Sequence, residues 1–191
     1  MDLNNQHPDL GPIAVTGATG GVGSIAIDML TSLGYETTAI TSKKDNEEYL
    51  KKIGATSVQF FDELDIGERP LESASFGGAI DNLGGNILSW LLRSTVEEGN
   101  VASIGLALNY KLDTNVMPFI LRGVNLLGVN STTLPKITKE KVWRKISEEM
   151  IPKNIDSIVT KELTLQDLEG SFQQYLDASV VGRIIVNIDD A

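Results

Sequence analysis

The chain has 191 residues, no cysteine, a single histidine and a formal net charge of −10. These figures exclude disulfides and cysteine-ligated zinc, leave no usual set of zinc ligands, and make nucleic acid an unexpected partner, because a polyanion is repelled at long range. With 41% hydrophobic and 22% charged residues, the make-up is that of an ordinary globular domain of about 150 residues with an appendage.

The N-terminus, Met1-Asp-Leu-Asn-Asn-Gln6, lacks the basic and apolar character of a signal, and no apolar run reaches the roughly 20 residues of a membrane span. A cytoplasmic protein without membrane contact is expected, with His7 solvated in a polar tail. The stretch Ile13-Ala-Val-Thr-Gly-Ala-Thr-Gly-Gly-Val-Gly-Ser24 then reads as a buried strand, a tight turn and a helix start. Glycines at 17 and 20 let backbone N–H groups approach an anion, Gly23 lets the helix sit close to the strand, and the helix N-terminus attracts a pyrophosphate. The first glycine of the dinucleotide fingerprint is Ala18 here, so the turn alone also fits other α/β proteins.

A helix over Val22–Leu33 follows, with Ile25, Ala26, Met29, Leu30 and Leu33 at helical spacing and Gly34 as its stop. The β-branched run over Glu36–Thr41 predicts the second strand. Where an NAD site needs a carboxylate for the ribose hydroxyls, the chain reads Thr41-Ser42-Lys43-Lys44. Two hydroxyls and two cations suit a 2′-phosphate, which favours NADP(H); the alternative for the lysines is a solvated pair. Asp45 is the expected N-cap of a helix over Glu47–Ile53, followed by a strand at Ser57–Phe60 and a polar loop with a helical turn over Asp62–Ser75. The next strand runs from Phe76 to Asp81 and leaves at a second glycine pair, Gly84-Gly85. Asp81 reads as a strand-end residue that hydrogen-bonds loop backbone rather than as a catalytic acid.

A helix over Ile87–Thr95, a turn at Glu98-Gly99-Asn100, and strands at Val101–Ile104 and Asn125–Val129 complete six strands alternating with helices. The expected fold is α/β, a doubly wound six-stranded parallel sheet (Rossmann fold) in the order 3-2-1-4-5-6, with a ligand across the switch point. A helix over Lys139–Met150 carries Lys141, Arg144 and Lys145 on one face, a solvated surface or, less favoured, a phosphate patch for a coenzyme A substrate. A C-terminal β-α-β tail, with strand Ser157–Leu163, helix Leu165–Ala178 and strand Arg183–Ile188, does not extend that sheet.

Several motifs together carry a family resemblance: Thr16-Gly-Ala-Thr-Gly-Gly-Val-Gly23, Glu48-Tyr-Leu-Lys-Lys-Ile-Gly-Ala55, Gly78-Ala-Ile-Asp81, Asn115-Val-Met-Pro-Phe-Ile-Leu-Arg122 and Leu127-Gly-Val-Asn-Ser131. Over Gly11–Asn187 the chain resembles the cofactor-binding half of the medium-chain dehydrogenase/reductase superfamily, in the zinc-independent quinone oxidoreductase branch of YhdH/YhfP type that includes acrylyl-CoA reductases. The resemblance implies hydride transfer from NADPH to an activated double bond of a small-molecule substrate, an enoyl thioester or a quinone. It also implies a GroES-like N-terminal domain that this chain lacks. Residues 1–155 are then the NADP-binding domain, and 156–191 a tail that would complete the missing domain.

Carried over by position, the resemblance gives the pyrophosphate to Thr19, Gly20, Gly21 and Val22, and the 2′-phosphate to Thr41, Ser42 and Lys43, where the family's arginine is a lysine. It brings Leu83, Gly105, Leu106, Asn130 and Ser131 to the adenosine or nicotinamide, and Arg183 back toward the cofactor. It also implies a homodimer through the edge strand 125–129. No catalytic acid is assigned among Tyr35, Tyr49, Tyr110 and Tyr175, Tyr49 being expected to pack on a helix and the others to lie at the rim or surface. None of these tyrosines has a lysine four residues on, which removes the short-chain dehydrogenase reading that Thr-Gly-Ala-Thr-Gly also suggests. An isolated dinucleotide-binding or dimerisation module without catalysis remains the alternative.

Overall fold

A computed structural model describes residues 4–188. Six parallel strands, β1 (Ile13–Thr16), β2 (Thr37–Thr41), β3 (Ser57–Phe60), β4 (Phe76–Asp81), β5 (Thr95–Ser103) and β6 (Asn125–Gly128), form one sheet in the order β3-β2-β1-β4-β5-β6. This is the doubly wound order expected from the alternation of apolar runs and helical periods. Strand β1 lies at the centre, Ile13–Thr16 pairing with Thr37–Ile40 on one side and Ile13–Val15 with Gly78–Ile80 on the other.

The side chains of β1 divide between two cores. Ala14 packs with Ile87, Leu91 and Leu92 of α3 (Gly85–Ser94), where Phe76 and Trp90 meet edge to face at 5.5 Å. Ile13 and Val15 pack on the opposite face with Ile27 of α1 (Gly21–Ser32) and Leu50 of α2 (Glu47–Lys52). Each of the fully buried Ile, Leu and Val side chains among these contributes about 1.5–3 kcal/mol by leaving water.

Several elements differ from the sequence expectation. Asp45 does not cap α2; it lies in a 3-10 turn over Lys44–Asn46, and no side chain caps the helix. The expected turn at Glu98 is a kink within β5 rather than its start: Glu98 has φ 59°, and the pairing with β4 slips between Phe76 and Gly78. A short helix, α4 (Met117–Arg122), has no counterpart among the predicted elements; Pro118 suits its first turn and Gly123, at φ 60°, ends it. Arg122 explains part of that motif, because its guanidinium donates to the carbonyls of Glu72, Arg93 and Thr95 and ties α4 to the end of α3. Helix α5 (Lys136–Glu149) starts three residues before the expected Lys139, directly after Pro135. No residue of α5 is buried, as expected for a solvated face.

The tail forms a separate two-stranded parallel sheet, with β7 (Val159–Thr164) beside β8 (Arg183–Asn187). Instead of a strand from Ser157 it opens with a helical turn, α6 (Ile155–Ile158), and the long helix expected over Leu165–Ala178 breaks into a 3-10 turn over Leu168–Ser171 and α7 (Phe172–Leu176). The tail is fastened to the main body: Ile158 is fully buried among the α1 and α2 side chains, and the buried Asp28 carboxylate accepts from the Asn154 N–H at 2.8 Å and side-chain amide at 3.0 Å. At the other end of the sheet, His7 is half exposed, but neighbouring Gln6 is buried and bonds Asn100 and Gly77.

Candidate functional site

The carboxyl ends of β1, β2, β4 and β5 open into a cleft of about 720 Å³ at the point where the strand order reverses. Its floor is the glycine turn. Gly17 has φ 58°, and Gly20 donates to the Gly17 carbonyl at 2.9 Å. A Cβ on Gly23 would lie 2.5 Å from the Gly17 oxygen and 2.8 Å from Ala18 Cα, so only glycine lets α1 leave this close to the strand. Ala18 is fully buried and its N–H donates to the Ile40 carbonyl, so this substitution in the fingerprint points its methyl into the core and away from the cleft. The first-turn N–H groups of α1, which have no partner within the helix, point toward the cleft with the positive end of the helix dipole.

The second wall is the end of β2. Thr41 is buried; its Oγ1 lies 3.4 Å from Thr19 Oγ1 and accepts the Lys43 N–H at 3.1 Å, so this hydroxyl shapes the turn that presents Lys43. The Lys43 ammonium donates to the Val180 carbonyl at 2.5 Å, and partial burial lowers its pKa from the ordinary lysine value. Lys44 departs from the expected pair of cations: it turns to Glu63 at 2.6 Å and Asp62 at 3.0 Å, whose hydrogen bonds raise its pKa, and it does not line the cleft. One lysine rather than two therefore faces the cleft.

At the third wall Asp81 has the strand-end role read from the sequence. Fully buried, it accepts from Thr16 Oγ1 at 2.7 Å and Leu83 N at 3.3 Å with one oxygen, and from Gly84 N at 2.8 Å with the other. Asn82 completes the link to β1 by donating its side-chain amide to the Thr16 carbonyl at 2.7 Å. The second glycine pair supports a loop: Leu108 and Asn109 donate to the Leu83 carbonyl, and a Cβ on Gly84 would strike the Asn109 oxygen.

The fourth wall comes from the tail. Tyr175, Ala178, Val180, Gly182, Arg183 and Ile184 line the cleft, and Gly182 N donates to the Thr19 carbonyl at 2.8 Å. The Arg183 guanidinium lies directly on Gly21, in space that any Cβ there would fill.

Most residues singled out from the sequence meet in this cleft: Thr19, Gly20, Gly21 and Val22, then Thr41, Ser42 and Lys43, then Leu83, Gly105, Leu106 and Arg183. Asn130 and Ser131 do not. They lie on an exposed turn after β6, where the Asn130 side chain bonds Thr132 N and both the N–H and hydroxyl of Thr133. Tyr49 packs on α1 as expected, donating to Ser24 Oγ at 2.9 Å, and burial raises its pKa. Tyr175, 55% exposed, lies at the rim of the cleft, one of the two places expected for it, and Phe61, Asn82 and Val180 join the lining without any sequence signal. Among the described residues lining the cleft, Lys43 and Arg183 are the charged ones, and none is acidic. In a chain of net charge −10 this is a local site for an anion.

Comparison with known proteins gives a concordant picture. A family model described as zinc-binding dehydrogenase matches residues 21–167. The acrylyl-CoA reductase AcuI of Ruegeria pomeroyi is 38% identical over 183 residues, covering 95% of this chain and 55% of that protein. The crystal structure of Bacillus subtilis YhfP with NAD bound superposes with a TM-score of 0.93 at 37% identity, over 98% of this chain and 57% of that one. The Salmonella enterica yhdH oxidoreductase in complex with NADP gives 0.92 at 36% identity, again over 98% and 57%. The chain thus spans little more than half the length of the relatives it matches. Cysteine is absent from the chain, histidine occurs once, and no group of three or more His, Cys, Asp or Glu able to hold a metal exists among the described residues.

Proposed function

We propose a function from one premise: this chain belongs to the zinc-binding dehydrogenase family. It is the NADP(H)-binding portion of a zinc-independent oxidoreductase that reduces an activated double bond by hydride transfer, the substrate being acrylyl-CoA or another enoyl thioester, or a quinone. The observation that carries the reading is the cleft at the switch point, whose charged lining residues are Lys43 and Arg183 in an otherwise acidic chain. Similarity to an acrylyl-CoA reductase and to an NADP-bound yhdH oxidoreductase supports the substrate class and the cofactor.

The nicotinamide supplies the hydride when bound, and the protein supplies binding and orientation. The α1 N-terminus with Thr19–Val22 and Arg183 would hold the pyrophosphate, and Lys43 with Ser42 the 2′-phosphate. Leu83, Gly105 and Leu106 would form an apolar wall that keeps water from the ring. Titration with NADPH and NADH tests the cofactor assignment: tighter NADPH binding is expected, and equal or tighter NADH binding overturns it.

Residues 1–155 act as the cofactor domain in this reading, and 156–191 belong to the part that closes a second domain in longer relatives. The exposed Phe172, Leu176 and Ile188 support that division. The reading includes a homodimer through the edge strand 125–129, supported by the position of β6 at the edge of the sheet and by Val129, just past its end, being 47% exposed; a monomer mass by light scattering refutes it. A cytoplasmic location agrees with the described helices, none long and apolar enough to cross a membrane. The second reading, a dinucleotide-binding or dimerisation module without turnover, is favoured by the absence of any acidic side chain among the described residues that line the cleft. NADPH oxidation measured with acrylyl-CoA or a quinone separates the two: no turnover with intact binding selects the module.

A further inference from the structure

Residues 177–183 cross the open side of the glycine turn as a strap. At one end Ala178 has φ 50°, a conformation a non-glycine residue seldom adopts, and at the other Gly182 has φ 65°. Between them the strap holds to the rest of the chain by a few hydrogen bonds: Ser179 N and Oγ to the Gln174 carbonyl at 2.9 and 3.2 Å, Gly182 N to the Thr19 carbonyl at 2.8 Å, the Val181 carbonyl to Thr160 Oγ1 at 2.6 Å, and the Val180 carbonyl to Lys43 Nζ at 2.5 Å.

The last contact differs from that of the neighbouring lysine. With 26 acidic residues available, neighbouring Lys44 takes two carboxylates, while Lys43 takes a neutral carbonyl. A carbonyl accepts one of the ammonium's three hydrogens and cancels none of its charge. The cation is thus positioned by the strap, with its charge and two donors left for an anion in the cleft that both Lys43 and Val180 line.

We propose that Lys43 is a bridge between the strap and a bound phosphate monoester, so that a 2′-phosphorylated dinucleotide orders residues 177–183 and an unphosphorylated one does not. This rests on the cofactor reading above and extends it from affinity to conformation: the lysine selects the cofactor and transmits its identity to the tail. Val180 acts through its backbone as a positioning group, and Lys43 makes the contact with the ligand.

Hydrogen exchange followed by mass spectrometry on the full chain tests the bridge, for wild type, Lys43→Met and Lys43→Arg, each alone, with NADH and with NADPH at saturation. Alone, Lys43→Met should exchange at 177–183 about threefold faster than wild type, because a charge-assisted contact is lost, and Lys43→Arg should restore the slower rate. In wild type NADPH should slow this segment about threefold more than NADH, and in Lys43→Met the two should act alike. Equal strap exchange in wild type and Lys43→Met, or equal protection of the wild-type strap by both nucleotides, overturns the bridge while protection at residues 17–23 leaves the cofactor reading intact. Absence of protection at 17–23 with either nucleotide overturns that reading, and the bridge with it.

Discussion

Replacing Asp81 by asparagine should cost this protein stability before it costs any chemistry. The carboxylate is fully buried and accepts three hydrogen bonds, from Thr16 Oγ1, Leu83 N and Gly84 N. An amide keeps one oxygen. If that oxygen faces Gly84, the NH₂ confronts Leu83 N–H and forces the Thr16 hydroxyl to turn, although Thr16 Oγ1 already accepts from Asn82 N at 2.9 Å. If it faces Thr16, the NH₂ meets the Gly84 N–H head on. Either way a buried donor loses its acceptor and a charged acceptor becomes neutral, a loss of about 2–4 kcal/mol. For a chain of this size that corresponds to a fall in melting temperature of about 5–15 °C. Thermal and urea unfolding with matched slopes measure it. Asp81→Asn melting within about 1 °C of wild type would refute the account of Asp81 as the clamp between β1 and β4.

The two close-packed glycines of the turn should separate under the same small substitution. Gly23→Ala drives a methyl into the Gly17 and Ala18 backbone and should cost about 1–3 kcal/mol along with nucleotide affinity, whereas the nearest atoms to a methyl in Gly21→Ala belong to the movable Arg183 side chain, so that change should cost less stability while weakening affinity; melting curves beside titrations check both. The preference for NADPH over NADH should rise between about pH 5 and 7 as the 2′-phosphate takes its second charge. It should then fall at alkaline pH as Lys43 loses its proton, sooner than an ordinary lysine because burial disfavours the charged form. In Lys43→Arg the alkaline fall should vanish, which pH-dependent titrations would show. Because the folded pKa of Lys43 is lowered, burying its charge costs stability at neutral pH, and that cost shrinks as pH rises past the folded pKa and is gone above the unfolded one. Asp28→Ala removes both acceptors of Asn154 and should loosen residues 150–188, seen as faster proteolysis within the tail with the six-stranded sheet still folded.

The sheet was legible because buried parallel strands announce themselves: Ile13–Thr16, Thr37–Thr41 and Phe76–Asp81 are short apolar or β-branched runs closed by glycine or polar residues. The role of Asp81 was legible too, since a carboxylate ending such a strand has loop N–H groups within reach. The direction of Lys44 was not, because it is decided by Asp62 and Glu63, carried there by the chain beyond β3. Helix α4 is too short for a period to register, and its motif reads as an apolar run interrupted by Pro118. The tail helix failed for a related reason: the apolar spacing from Leu165 continues across Gly170, where the backbone tightens into a 3-10 turn. Asn130 and Ser131 were placed by the end of a strand, but past that end nothing in the pattern fixes where the backbone goes, and Asn130 spends its side chain on its own turn. The wall formed by Val180 and Tyr175 is invisible locally, since it exists only when the tail returns to the glycine turn.

That return also sets an order of events during synthesis. Lys43 and Val180 are separated by 137 positions, and Asp28 and Asn154 by 126. At translation speeds of about 5–20 residues per second, the glycine turn waits on the order of ten seconds on the ribosome before the strap that walls it has been made. The sheet can form from its own neighbours in that interval, but the anion site is finished last, by the slow closure of a very long loop. A nascent chain stalled before residue 177 would therefore carry the fold without the finished cleft.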